Sequence, residues 1–315
     1  MNQLNVLKKL QTLVVGFLVF WLLLITPTWM ASAAAISNTS NLESINQPDS
    51  SLQQEIEKEK QAALDEAESR LDQEAIAAIE ETRKAIAAIA EGKTQDALQA
   101  LERATGKLDI LLARYPELGL VPAFTQVAVI DVAPLDLDTV QRLRNQIKSA
   151  INAEDFPAAR ELLNNLMSEI RTVTFNLPLA TYPDAMKQAA RLLNEKQAEA
   201  AKEVLQKTLS TLVITEQARP IPLIEAHTKL LGAVAVADLD RSDAGRLLED
   251  ARNYLQLAKE LGYARRDPDY AELDQAIKDI QRQLRANEKT ASAFAKLQDK
   301  FSSFFNRVSE VKQAA

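Results

Sequence analysis

The chain has no cysteine and a single histidine, His227, among its 315 residues. Without a thiol there is no disulfide, Fe–S cluster, cysteine-zinc site, thiol nucleophile or lipidated N-terminal cysteine. With one imidazole, a serine triad or a histidine-based metal site would have to run through residue 227 alone. Glycine is scarce, seven in all, too few for the tight turns of an all-β sandwich, and aromatics make up only 5%. No phosphate loop, dinucleotide fingerprint or G-x-S-x-G elbow occurs. What is abundant is Ala, Leu, Ile, Glu, Gln, Lys and Arg, the strong helix formers. Acids outnumber bases by 44 to 37, a formal charge of −7, so the chain repels phosphate and nucleic acid is not an expected partner.

A long uncharged apolar run occurs once, from Leu10 to Ile25, after Lys8 and Lys9 and before the small residues Ala31-Ser32-Ala33-Ala34-Ala35. That order of positive, apolar and A-x-A segments predicts a signal peptide over 1–33, cleaved after Ala33 or Ala35. The run is shorter than the ~20 residues a spanning helix needs, which disfavours an uncleaved anchor. Cleavage after Ala33 removes two lysines and no acid, taking the charge to −9. Residues 34–50 are polar and are expected to form a disordered spacer.

From 51 to 91, Leu64, Leu71, Ala75, Ile79, Ile86 and Ile89 keep helical period, predicting one long helix of ~60 Å that stops at Gly92. Downstream lies an internal repeat. Ala97, Ala159, Ala201 and Ala244 align; four residues on stand Leu101, Leu163, Leu205 and Leu248. Three further are Ala104, Leu166, Thr208 and Ala251, then Leu108, Ile170, Leu212 and Leu255. Pro116, Pro178 and Pro220 follow in three of the units, with Gly262-Tyr263 in the fourth. A turn and another amphipathic helix precede each marked helix, so the unit is a helical hairpin closed by Pro. A hairpin cannot bury its stripe alone, so neighbouring units should stack. The expected fold is all-α: stacked helical hairpins in a TPR-like arrangement over 51–284, with a long N-terminal helix. At most one short two-stranded β element is expected. Its strands would be Thr125–Val132 and Arg171–Asn176, β-branched runs that break helical period.

The tail, 285–315, forms a separate amphipathic helix in this scheme. Phe294, Leu297, Phe301, Phe304, Val308 and Val311 follow the 3-4-3-4-3 spacing of a helical seam. Residues 289–315 carry Lys289, Lys296, Lys300, Arg307 and Lys312 against Asp299 and Glu310, a net +3. An aromatic stripe with a basic face suits an anionic membrane surface, a partner helix in an oligomer, or the chain's own core. For the core, acidic helices such as 65–81 would meet the charge. His227 lies among Leu223, Leu230, Leu231 and Val234 at helical spacing. It is either a pH sensor or a hydrogen-bonded helix residue. Asp65, Glu66, Glu68, Asp72, Glu74, Glu80 and Glu81 are a solvated face, or a cation or acid-response site. No spacing nominates a carboxylate pair for glycoside hydrolysis.

Several of these residues together resemble the YfdX family of exported bacterial proteins. They are Arg83, then Gly92, Ala97, Ala104 and Leu108 in the family's G-x4-A-x6-A-x3-L spacing. Val127 to Val132, Leu177-Pro178-Leu179, and the stretch Ala189 to Gln197 followed by Ala201 complete the set. The resemblance covers roughly 75–215. Where the family often has a Tyr pair, this chain has Ala198-Glu199, and it continues about 100 residues further. The resemblance implies a helical, often oligomeric periplasmic protein linked to stress such as acid exposure, chaperone-like, with no established catalytic residues.

The expectation is therefore a non-enzymatic, exported, stress-related protein-binding chain with no catalytic, cofactor or metal residues. Its protein partners would include a second copy, with Phe294, Leu297, Phe301, Phe304 and Val308 as interface candidates. The competing class is a small-molecule or envelope-lipid binder, with peripheral membrane contact through the tail.

Overall fold

The structure is a computed structural model that describes residues 50–310 and 312–313. The expected signal peptide and nearly all of the spacer lie outside the described residues. In chain order the elements are α1 (Ser50–Ser69), α2 (Gln73–Ala90), α3 (Thr94–Arg114), β1 (Leu120–Asp131), α4 (Leu137–Asn152) and α5 (Phe156–Asn164). Then come β2 (Ser168–Pro178), α6 (Tyr182–Asn194), α7 (Ala198–Leu209), β3 (Val213–Pro220), α8 (Ile221–Val236) and α9 (Arg241–Leu261). The chain closes with α10 (Asp269–Arg285), α11 (Ala291–Val308) and the two-residue β4 (Lys312–Gln313).

The all-α expectation is overturned. Helices dominate, but three long antiparallel strands run through the middle in the order β1-β2-β3, with β4 against the outer side of β3. The two expected strands exist and pair, with Thr125 opposite Thr174 and Val127 opposite Thr172. They are longer than their β-branched runs, and β3 joins them with Thr172 opposite Gln217. The repeating unit is thus hairpin plus strand rather than a hairpin closed by Pro. Pro178 and Pro220 end β2 and β3, where a missing N–H does no harm to the ladder.

The expected long helix over 51–91 is also broken. Asp72 has extended backbone, and its carboxylate accepts from the N–H groups of Glu74 (2.9 Å) and Ala75 (3.3 Å), capping α2. Its own N–H donates to the Pro122 carbonyl at 3.0 Å, so the break is held by β1. At the other end Gly92, with φ of +73°, stops α2 as expected.

The sheet decides how the hairpins pack. Because the strands alternate in direction, successive hairpins leave from opposite ends of the sheet. The first (α2–α3) and third (α6–α7) therefore share one end and one core, built on Ile79, Leu101, Leu108, Tyr182, Met186 and Leu205. The second (α4–α5) and fourth (α8–α9) share the other end. They touch through Val140, Ile147 and Leu166 against Leu257. The fourth packs mainly against α10 and α11, around Leu248, Leu255, Leu273, Ile277, Phe301 and Phe304. So alternate units pair, where stacking of neighbours was expected. Over one face of the sheet, Ala63 of α1 and Ile221 and Ile224 of α8 cover Ile170.

The repeat columns survive this rearrangement only in part: α5 ends at Asn164, so Leu166 lies beyond the helix and Ile170 in β2, and Leu212 follows the end of α7 and is half-buried. Ala97, Ala159, Ala201 and Ala244 are all buried, as are Ala104, Leu166, Thr208 and Ala251. Leu101, Leu205 and Leu248 are at most 1% exposed, but Leu163 is 51% exposed.

Candidate functional site

The sequence-predicted residues fall into two places. Phe294, Leu297, Phe301 and Phe304 of α11 are buried in the core with α8, α9 and α10, and Val308 packs partly against it. The seam is covered by the chain itself; Val311 lies outside the described residues. Its basic partners are met by α10 and the residues before it. Arg307 bonds Asp267 (3.0 Å) and Asp269 (2.6 Å), and Lys300 pairs with Glu272. The acids of 65–81 do not serve it. Those acids are instead tied locally: Glu66 to Arg70 and Arg219, Glu81 to Lys84 and Arg103, and Asp72 and Glu74 to Arg114. Burial works against the Asp72 carboxylate, but two backbone N–H groups, the Tyr115 hydroxyl and Arg114 outweigh it and hold its pKa below the usual range.

His227 and Phe301, far apart in the sequence, meet: their rings stack with centroids 5.2 Å apart and planes at 9°. Burial pulls the imidazole pKa below its ordinary value, opposed by the field of Glu59 and Glu55 on α1. The depressed value means that the unfolded chain takes up the proton first as pH falls. This contribution to stability is full above about pH 6.5 and declines below it. Urea midpoints should therefore fall between pH 7 and pH 5.5 with a slope that His227→Gln reduces; parallel profiles would refute this.

The open feature of the molecule is β1, whose β-branched run by itself marks only a strand and not an edge. Its Phe124–Asp131 stretch holds one charge and no Pro or Lys, the devices that usually blunt an edge. On its inner side it pairs with β2 throughout. At its far end the N–H of Val132 donates to the Met167 carbonyl at 3.0 Å. By antiparallel alternation the N–H and C=O groups of Val127 and Val129 then point away from β2. Among the described residues the outer edge receives the Asp72 N–H at Pro122, and no further backbone hydrogen bond reaches it from Phe124 to Asp131. Gln126, Ala128 and Val129 are exposed, while Val127 packs partly against the core under α1 and α8.

Both ends of this edge are pinned. At one, the Arg83 guanidinium lies 5.3 Å from the centre of the Phe124 ring, beside Tyr182. Burial lowers the Arg83 pKa and pushes the Tyr182 hydroxyl up to about 12; that hydroxyl donates to Thr82 Oγ1 at 3.1 Å. At the other, Ser168 Oγ donates to Asp131 at 2.8 Å and Ser168 N–H to the Tyr263 hydroxyl at 2.9 Å. An apolar, low-charge edge held at both ends, whose outward main-chain groups have no backbone partner among the described residues, can accept an extended polypeptide as an additional strand. Among the described residues no group of three or more His, Asp or Glu is placed to hold a metal ion, and no helix is long and apolar enough to cross a membrane.

Residues 78–218 match the model of the YfdX protein family. This segment belongs to the YfdX family. The YfdX segment begins within α2 and ends within β3, so it is the three hairpin–strand units, including the open edge of β1. A solved structure of Salmonella Typhi YfdX is similar at 17% identity and a TM-score of 0.33, over 47% of this chain and 91% of that one. No curated protein matches the chain.

Proposed function

We propose that this chain is a non-enzymatic, exported binding protein that takes extended segments of other polypeptides onto the β1 edge, as a chaperone does for stress-unfolded clients. The observation that carries this is the outer side of Phe124–Asp131: eight residues of an edge strand, paired with β2 on the inner side and held at both ends, whose outer side receives no backbone hydrogen bond among the described residues. Main-chain hydrogen bonds bind without regard to client sequence, and the low charge of the edge suits apolar segments. Export rests on the charge and A-x-A pattern of residues 1–35.

The test uses Val129→Pro, which removes an outward N–H while leaving the inward ladder to β2. Each lost hydrogen bond is worth ~1 kcal/mol, and the ring also obstructs the incoming strand. Binding of labelled, reduced and carboxymethylated lactalbumin, followed by anisotropy, should weaken about tenfold or more. Circular dichroism should be unchanged. Equal binding by the folded variant would exclude the edge.

A further inference from the structure

We infer that the outer edge of β3 is a second strand-accepting site, that its ligand is an extended polypeptide with a cation opposite Glu216, and that the chain's own β4 is the resident competitor. This edge is separate from that of β1, with β2 between them. The register fixes which groups it offers. Val127 and Val129 point away from β2, so their partners Thr172 and Ile170 turn their main-chain groups toward β3. Thr172 stands opposite Gln217, Ile170 opposite Arg219 and Thr174 opposite Thr215, so those residues of β3 are used inward. Ile214, Glu216 and Ala218 therefore aim their main-chain groups outward. β4 meets this side with Lys312 opposite Glu216 and Gln313 opposite Thr215. It stops short of Ala218: among the described residues no backbone hydrogen bond reaches that residue from outside the sheet.

Two observations name the ligand. The first is what already lies on the edge, a piece of extended main chain. The second is its register. Position 312, a lysine, stands opposite Glu216, and directly opposed positions of a ladder favour unlike charges. The hold of β4 is shallow. It is two residues long and follows the end of α11 by three residues, while α11 is fixed in the core through Phe294, Phe301 and Phe304. A tether this short presents its strand at an effective concentration on the order of millimolar. A longer strand that also takes the outward groups of Ala218 makes more bonds than β4 and displaces it. Val213–Arg219 contains no Pro and no Lys, the residues that blunt an edge. β4 supplies that protection instead, and gives way to a ligand that pairs further along.

The probe is a fluorescein-labelled peptide of residues 309–315, Ser-Glu-Val-Lys-Gln-Ala-Ala, followed by anisotropy. Lys312→Pro in the full chain removes the N–H that β4 offers to Glu216 and lies beyond α11. This variant should bind the probe about tenfold or more tightly than the parent, whose own strand competes. Adding Ala218→Pro removes an outward N–H of β3, spares the ladder to β2, and should cancel the gain. A probe with Glu in place of its lysine should bind the Lys312→Pro chain about threefold or more weakly. Every chain in the series, the parent included, also carries Val129→Pro, so the result does not depend on whether β1 binds clients. Hydrogen exchange of Val213–Pro220 should rise in the Lys312→Pro chain and fall again when the probe is added. Equal binding by parent and Lys312→Pro chains, a gain that survives Ala218→Pro, or equal binding of the glutamate probe would each overturn the proposal. So would protection of Val213–Pro220 that the parent loses on dilution, since the strand would then come from a second copy.

Discussion

Replacing Phe301 and Phe304 together by Ser is expected to lower the melting temperature by about 10 °C or more without changing the mass of the protein. Both rings are essentially inaccessible to solvent. Phe304 meets Tyr270 edge-on, with centroids 4.8 Å apart and planes at 72°, and Tyr270 is itself fixed by donating to the Tyr263 carbonyl at 2.7 Å. Phe301 stacks on His227. Truncating a buried Phe costs ~3–5 kcal/mol, and the two changes share neighbours, so their sum is not additive. A Ser in either place also buries a hydroxyl where the surroundings are apolar. The ion pairs of Arg307 and Lys300 lie on the exposed side and cannot hold α11 in place alone. Mass is unaffected because the seam faces the chain's own α8, α9 and α10. Unchanged stability with loss of binding to anionic vesicles would show instead that α11 leaves the core for a membrane.

The second large effect is a contrast within one repeat column. Leu101→Ala, Leu205→Ala and Leu248→Ala should each cost ~2–5 kcal/mol in urea unfolding, the range for a buried Leu in a tight core. Leu163→Ala, at the equivalent place in α5, should cost under about 1 kcal/mol, because half of that side chain is already in water. The comparison is made at one low protein concentration for all four variants, so that any association does not enter it. Leu101 and Leu205 lie in one core, so the double variant should deviate from the sum of the singles, whereas Leu101 with Leu248 should add. A Leu163→Ala cost equal to the others in the dilute chain would mean that the α5 face is covered from within.

Local pattern alone determined a good deal of this protein. The turns at Gly92, Asn152-Ala153, Asn194-Glu195 and Asp240 separate the helices of each hairpin where expected. The Ala columns at 97, 159, 201 and 244 lie inside because a 3.6-residue period marks the face that must leave water. The β-branched runs of 125–132 and 171–176 are strands because they broke that period. The tail stripe is buried because an apolar seam of that length does not stay open. The helix break at Asp72 and the third strand were not legible. Asp72 becomes a cap because Pro122, fifty residues later, accepts its N–H. Val213-Ile214-Thr215 is too short a β-branched run to declare a strand, and the polar residues after it extend only because β2 offers a ladder. The open edge of β1 follows from strand order, which no period encodes. Periodicity records which face must be covered, not what covers it. The antiparallel sheet made that choice, sending alternate hairpins to opposite ends, pairing Leu101 with Leu205, and leaving Leu163 in water.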